Sequence, residues 1–166
     1  MKRVHGGLNT AYVECINPRL MKYRVRWDFK PYYNEDGEQE GVTYCEHEFK
    51  FKPTLDHIKE VVLAGYNEII NEEIINGFVW NGMKVWLSNE NQFNYKAAYD
   101  LAMRTNGEYL PVMFKFGTDE EPIYYTFNDI ETLNDFYIKA MTYITTVLNE
   151  GWELKDSIDW SVYDIK

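Results

Sequence analysis

Cys45 and His47 stand two residues apart in a segment of alternating character, so on an extended strand both side chains point the same way. A thiolate beside an imidazole is the beginning of a soft-metal site, or of a nucleophile with its base. A metal needs further ligands, and the only other histidines, His5 and His57, form no paired ligand motif with them. Phe49 and Phe51 share the face, which reads instead as a core thiol with a hydrogen-bonded histidine. His57, next to Asp56, falls in the first turn of a helix, where capping or solvation is its expected role. Asp119-Glu120-Glu121 runs into Pro122 without the alternating oxygen ligands and central glycine of a calcium loop, and reads as a solvated hairpin tip. Gly6-Gly7 leads into no helix with Lys-Ser/Thr and is not a phosphate loop. No catalytic, metal-binding or cofactor-binding residue is assigned, and the chain is read as non-enzymatic with no cofactor.

Aromatic residues carry the remaining signal. Tyr32-Tyr33 and Tyr124-Tyr125 are adjacent pairs on strands, and neighbours on a strand point to opposite faces, so one ring of each pair is expected at the surface. With Trp160 of the C-terminal tail, these are the candidate contact residues, suited to protein or sugar, although a satisfied sheet edge would use the same rings.

The elements that must position them follow from periodicity. From Lys22 to Tyr33, Tyr23, Val25, Trp27 and Phe29 alternate with Lys22, Arg24, Arg26, Asp28 and Lys30, a half-buried strand. After a polar turn at Asn34-Glu38, Val42 to Phe51 returns with Cys45, His47 and Phe49 on one face and Tyr44, Glu46 and Glu48 on the other. Centring a two-residue turn on Asp36-Gly37 would pair Trp27 with Glu46 and put ring and carboxylate together. An odd-length or bulged connection is therefore expected, setting Arg24 and Arg26 against Glu46 and Glu48 on an exposed face.

Ile58, Val61, Val62, Tyr66, Ile69, Ile70 and Ile74 make an amphipathic helix that Gly77 would end in a left-handed conformation. Phe78-Val79-Trp80 and Met83 to Leu87 flank Asn81-Gly82, the strongest hairpin turn in the chain. A second helix starts from a cap at Ser88 or Asn89, with Gln92 at the box position and Ala97, Ala98, Leu101 and Ala102 as a slim apolar stripe. Strands from Tyr109 to Phe116 and Ile123 to Phe127 precede a third helix, capped by Asn128 with Glu131 at the box position. Its face of Ile130, Leu133, Tyr137, Ala140, Ile144, Val147 and Leu148 runs until Gly151. The tail, with Trp152, Leu154, Ile158, Trp160, Val162 and Ile165, is too apolar for a linker and is expected to dock on its own domain.

The fold expected is α+β: antiparallel hairpins packed on amphipathic helices, about three successive β-β-α units in two layers. A 1–76 hairpin-plus-helix region and a 77–166 β-β-α-β-β-α region with its apolar tail are expected to form one compact unit. The chain has 166 residues with 14 Tyr, 9 Phe and 5 Trp, far more ring surface than a disordered segment carries. Its net charge of -10 argues against direct nucleic-acid binding, which relies on basic phosphate contacts. No apolar run is long enough to span a membrane and no secretory signal opens the chain, so a cytosolic location is expected and the two cysteines are expected to be free thiols.

From Gly77 to Ile158 the order of features resembles a family of uncharacterised domains from phages and prophages, often found in tail-fibre-related proteins. The resemblance lies in Val79-Trp80-Asn81-Gly82-Met83-Lys84-Val85, in Ser88-Asn89-Glu90-Asn91-Gln92, and in Ile123-Tyr124-Tyr125-Thr126-Phe127 leading into Asn128-Asp129-Ile130-Glu131 and a long helix. It implies a phage or prophage accessory protein that works by protein contact, with phage tail proteins or further copies of itself as partners, and it transfers no activity and no site residue. A second expectation comes from charge alone: an acidic cytosolic inhibitor that mimics nucleic acid toward a basic host protein.

Overall fold

Four strands, β1 (Val4–Gly6), β2 (Val13–Asn17), β3 (Lys22–Tyr33) and β4 (Gln39–Phe49), form an antiparallel sheet in the order β1-β4-β3-β2. The computed structural model describes residues 3–165. Its fold is α+β, and in chain order a hairpin followed by a helix occurs three times. Two compact units divide the chain, Met1–Ile69 with Glu153–Lys166 and Ile70–Trp152, and not the expected 1–76 and 77–166.

In the first unit the register follows the alternation of the sequence. Trp27 pairs with Cys45, Arg24 with Glu48 and Arg26 with Glu46. The connection is a five-residue loop, Asn34 to Glu38, whose Asn34 side chain accepts the backbone N–H groups of Asp36 and Glu38, with Gly37 at φ 80°. Between Trp27 and Lys30 a bulge adds one residue to β3, and Asp28 there adopts φ 53°. Arg3 secures the bulge by donating to the Asp28 carboxylate and carbonyl and to Thr43 on the intervening strand.

The charged face of this sheet is not the open surface that the alternation implies. Tyr44 is buried, and Arg26 retains only 5% of its exposure. Strands β1 and β2, which the sequence reading did not foresee, and the turn between them supply the cover. Arg26 donates to the Ala11 carbonyl at 2.9 Å and to the Glu14 carboxylate at 2.5 Å, and its guanidinium lies 5.2 Å from the centre of the Tyr44 ring.

On the opposite face, Val25, Trp27, Cys45 and Phe49 pack with Ile58 and Val62 of α1 (Leu55–Asn76) and with Tyr163. Gly65 of α1 is the fitting residue, because a Cβ there would lie 2.5 Å from three atoms of the Trp27 indole. The C-terminal segment docks as expected, with Ile158, Trp160 and Ile165 against this core. Its deepest member, Tyr163, is absent from the apolar pattern read in the sequence, and its hydroxyl donates to the Arg26 carbonyl at 3.1 Å.

The second unit contains the minimal hairpin β5 (Val79–Trp80) and β6 (Met83–Lys84), then α2 (Asn89–Arg104), β7 (Val112–Gly117), β8 (Pro122–Phe127) and α3 (Ile130–Asp156). Asn81 and Gly82, at φ 49° and 78°, form the expected mirror-image turn, but the paired strands are only two residues long. The core is a set of rings around Phe136, whose centroid lies 5.1 Å from Tyr95, 5.2 Å from Phe116 and 5.3 Å from both Trp80 and Phe127.

Two glycines read as helix terminators have other work. Gly77 is not left-handed: a Cβ there would strike the Tyr143 hydroxyl at 2.1 Å, the group that closes the end of α1 by donating to the Glu73 carbonyl. Gly151 lies buried inside α3, which continues to Asp156, and a Cβ there would meet Ile70 at 2.4 Å. Both caps differ in detail. Ser88 caps α2, while Gln92 donates to the Leu87 carbonyl instead of completing a box. Asp129, not Asn128, accepts the Thr132 N–H at the start of α3.

Gly65→Ala is expected to destabilise the chain by about 1–2 kcal/mol in urea unfolding, because overpacking against the indole exceeds the gain in helix propensity. An unchanged midpoint would show that the indole does not depend on the missing Cβ. Burial pushes the Tyr95 phenol up to about 12, so its stabilisation is complete below the usual tyrosine range near 10 and is lost as pH rises toward 12. Tyr95→Phe is expected to flatten the alkaline decline in melting temperature across that window.

Candidate contact surfaces

Cys45 and His47 do not form a working pair. Cys45 is buried and burial pushes its thiol pKa up, whereas His47 is exposed with its ring 4.7 Å from Phe49. The expectation of a core histidine therefore fails: His47 is exposed, although its strand partner Val25 and the next residue on its face, Phe49, are buried. His57 has the capping role, its Nδ1 accepting the Thr54 N–H at 3.3 Å. The acidic run is a hairpin tip, where Asp119 pairs with Lys115 at 3.1 Å and Thr118 accepts the Glu121 N–H. Among the described residues no group of three or more His, Cys, Asp or Glu is placed to hold a metal ion, and no helix is long and apolar enough to cross a membrane.

The candidate contact rings divide into two kinds. In the first unit Tyr32 and Tyr33 are both exposed, contrary to the alternation, because the outer end of the β3–β4 hairpin is open on both faces and all of Glu35 to Glu40 is exposed. Tyr32 meets His5 of β1 edge-on at 4.8 Å. Trp160 is half-buried, with the Lys59 ammonium 5.6 Å from its ring centre and Tyr163 at 5.7 Å, so it is a packing residue and not a free anchor. Beside it lies a shallow cleft of about 380 Å³ between Pro53, Thr54 and Leu55 and the C-terminal Tyr163 and Ile165.

In the second unit β7 alternates along its length, and β8 does so from Tyr124 to Phe127, with Ile123 near the turn exposed. Phe114 and Phe116 point inward opposite Tyr125 and Ile123, and Tyr125 packs 5.0 Å from Trp80 and 4.8 Å from Phe127. The outward face carries Tyr124 at 63% exposure opposite Lys115, and Met113 at 59% opposite Thr126. Tyr124 is thus a true surface ring and Tyr125 a core ring. Met113 and Lys115 were passed over as members of this face, although they alternate with Val112, Phe114 and Phe116.

Charge is uneven between the units. Ile70–Trp152 contains 12 acidic and 5 basic residues, whereas the rest of the chain has 15 acidic and 12 basic. No family model, curated protein or solved structure matches the chain.

Both cysteines are free, Cys15 exposed and Cys45 buried. Maleimide labelling of the native protein is expected to modify Cys15 alone, with the second thiol reacting only after denaturation. Equal labelling rates in the native state would contradict the burial of Cys45.

Proposed function

We propose that this chain is a non-enzymatic phage or prophage accessory protein that acts through protein contacts in the tail or its assembly. The observation that carries the contact reading is the outward face of the β7–β8 hairpin, where Tyr124 and Met113 stand exposed beside Lys115. The ring presents a large apolar surface at little conformational cost, and the flexible thioether beside it adapts its shape to a partner. Tyr32 and Tyr33 provide a second pair of exposed rings in the first unit. The phage context rests on the resemblance of residues 77–158 to phage and prophage domains.

The test is proteomics of purified virions together with pulldowns of tail proteins from infected cells. The wild-type chain is expected in one or both, and a Met113→Ala, Tyr124→Ala variant that keeps the wild-type melting curve is expected to lose capture by about tenfold or more. Absence from both samples would overturn the tail reading.

The excess of acidic over basic residues in Ile70–Trp152 favours a second reading, an acidic inhibitor that occupies the basic groove of a host nucleic-acid-binding protein. The carboxylates of Glu35, Asp36 and Glu38, with Glu40 at the start of β4, and those of Asp119, Glu120 and Glu121 occur at the ends of two hairpins, one in each unit. Binding of this kind must weaken steeply with salt, and salt-insensitive capture would exclude it.

A further inference from the structure

Helix α2 has two apolar sides. Tyr95, Ala98 and Ala102 are buried, as a core-facing stripe requires. Ala97 and Leu101, which the sequence reading placed on that same stripe, are exposed, and so is Phe93 at 72%. At 100° per residue, Glu90, Phe93, Ala97, Leu101 and Arg104 fall within an arc of about 80° on the side away from the core. All five are exposed.

The order of residues along this stripe is self-complementary. Ala97 lies at its centre, Phe93 and Leu101 four residues to either side, and Glu90 and Arg104 seven residues to either side. Laid antiparallel on a second copy across a twofold axis at Ala97, Phe93 of each helix meets Leu101 of the other, and Glu90 of each meets Arg104 of the other. Two apolar pairs and two opposite-charge pairs form at once, and the small side chain sits where the helices cross. Asp100, which would face Asn94 of the second copy, is already paired with Lys96 at 2.7 Å in its own chain and brings no like-charge contact. A parallel arrangement would bring Glu90 onto Glu90 and Arg104 onto Arg104. From this symmetry we infer that the chain forms an antiparallel homodimer through the outer face of α2.

A single helix face is a small interface, so association depends on concentration across the range of about 10–500 µM. The inference is independent of the proposed tail role: a chain that dimerises but binds no virion protein fails there and passes here.

Sedimentation velocity over this range tests the dimer, with circular dichroism confirming the fold of each surface variant. Glu90→Arg alone and Arg104→Glu alone each set like charges face to face and are expected to weaken self-association by about tenfold or more. Mixing the two variants is expected to restore association as a heterodimer, because each Arg then meets a Glu, and the E90R/R104E double variant is expected to dimerise with itself. A wild-type chain that stays monomeric throughout overturns the proposal. So does a dimer that neither single variant weakens, or one that mixing does not restore.

Discussion

A guanidinium holds its charge at every pH a protein meets, and in the first unit one is enclosed. Burial alone would lower the basicity of Arg26, but the hydrogen bond to Glu14, with Tyr44 and Glu46 nearby, outweighs it and the pKa is raised. Its Nε lies 3.4 Å from the Glu46 carboxylate, an ion pair without a hydrogen bond. Left uncompensated, a buried charge of this kind costs about 3–5 kcal/mol. The turn after β1, the edge strand β2 and the carboxylate of β4 are therefore all needed at one point. Even the backbone of Arg26 is engaged, its N–H by the Tyr12 carbonyl and its carbonyl by Tyr163. The central hairpin cannot satisfy this residue by itself, and β2 with the turn before it supplies the missing partners.

The second unit meets the opposite constraint, a surplus of rings with little regular strand to hold them. Its sheets have two strands each, too few for independent stability. Phe136 supplies the order by bringing rings from β5, α2, β7 and β8 within edge-to-face distance of one helix position. The Trp80 indole enters this packing with its N–H satisfied, donating to Asp135 at 3.0 Å.

What could be read from the sequence was whatever the local period controls. The register of β3 on β4, the rejection of a two-residue turn and the pairing of Arg24 and Arg26 with Glu48 and Glu46 all follow from side-chain alternation over a dozen residues. The same rule calls for one outward ring in Tyr124-Tyr125, and the structure makes it Tyr124. The period of two says nothing about whether a second layer of chain covers the polar face, so the burial of Arg26 and Tyr44 was not legible. Gly77 and Gly151 were misread because a glycine required for close approach looks the same in sequence as one required for a left-handed cap. Ala97 and Leu101 were assigned to the core because a helix with apolar residues on two sides has no single stripe to find. Trp160 looked like an anchor by its size, and only the three-dimensional packing shows it held by Lys59 and Tyr163.

The division of the chain also sets an order of events in time. The first unit is discontinuous in sequence, its sheet near the N-terminus and its last core residue, Tyr163, separated by the whole of Ile70–Trp152. On a ribosome, where segments emerge in sequence and fold as they become complete, the intervening unit has all its parts before the outer one does. Until Tyr163 is synthesised, the sheet around Trp27 waits with one side of its core open, and the closing residues of the chain act as the latch of a unit begun at its start.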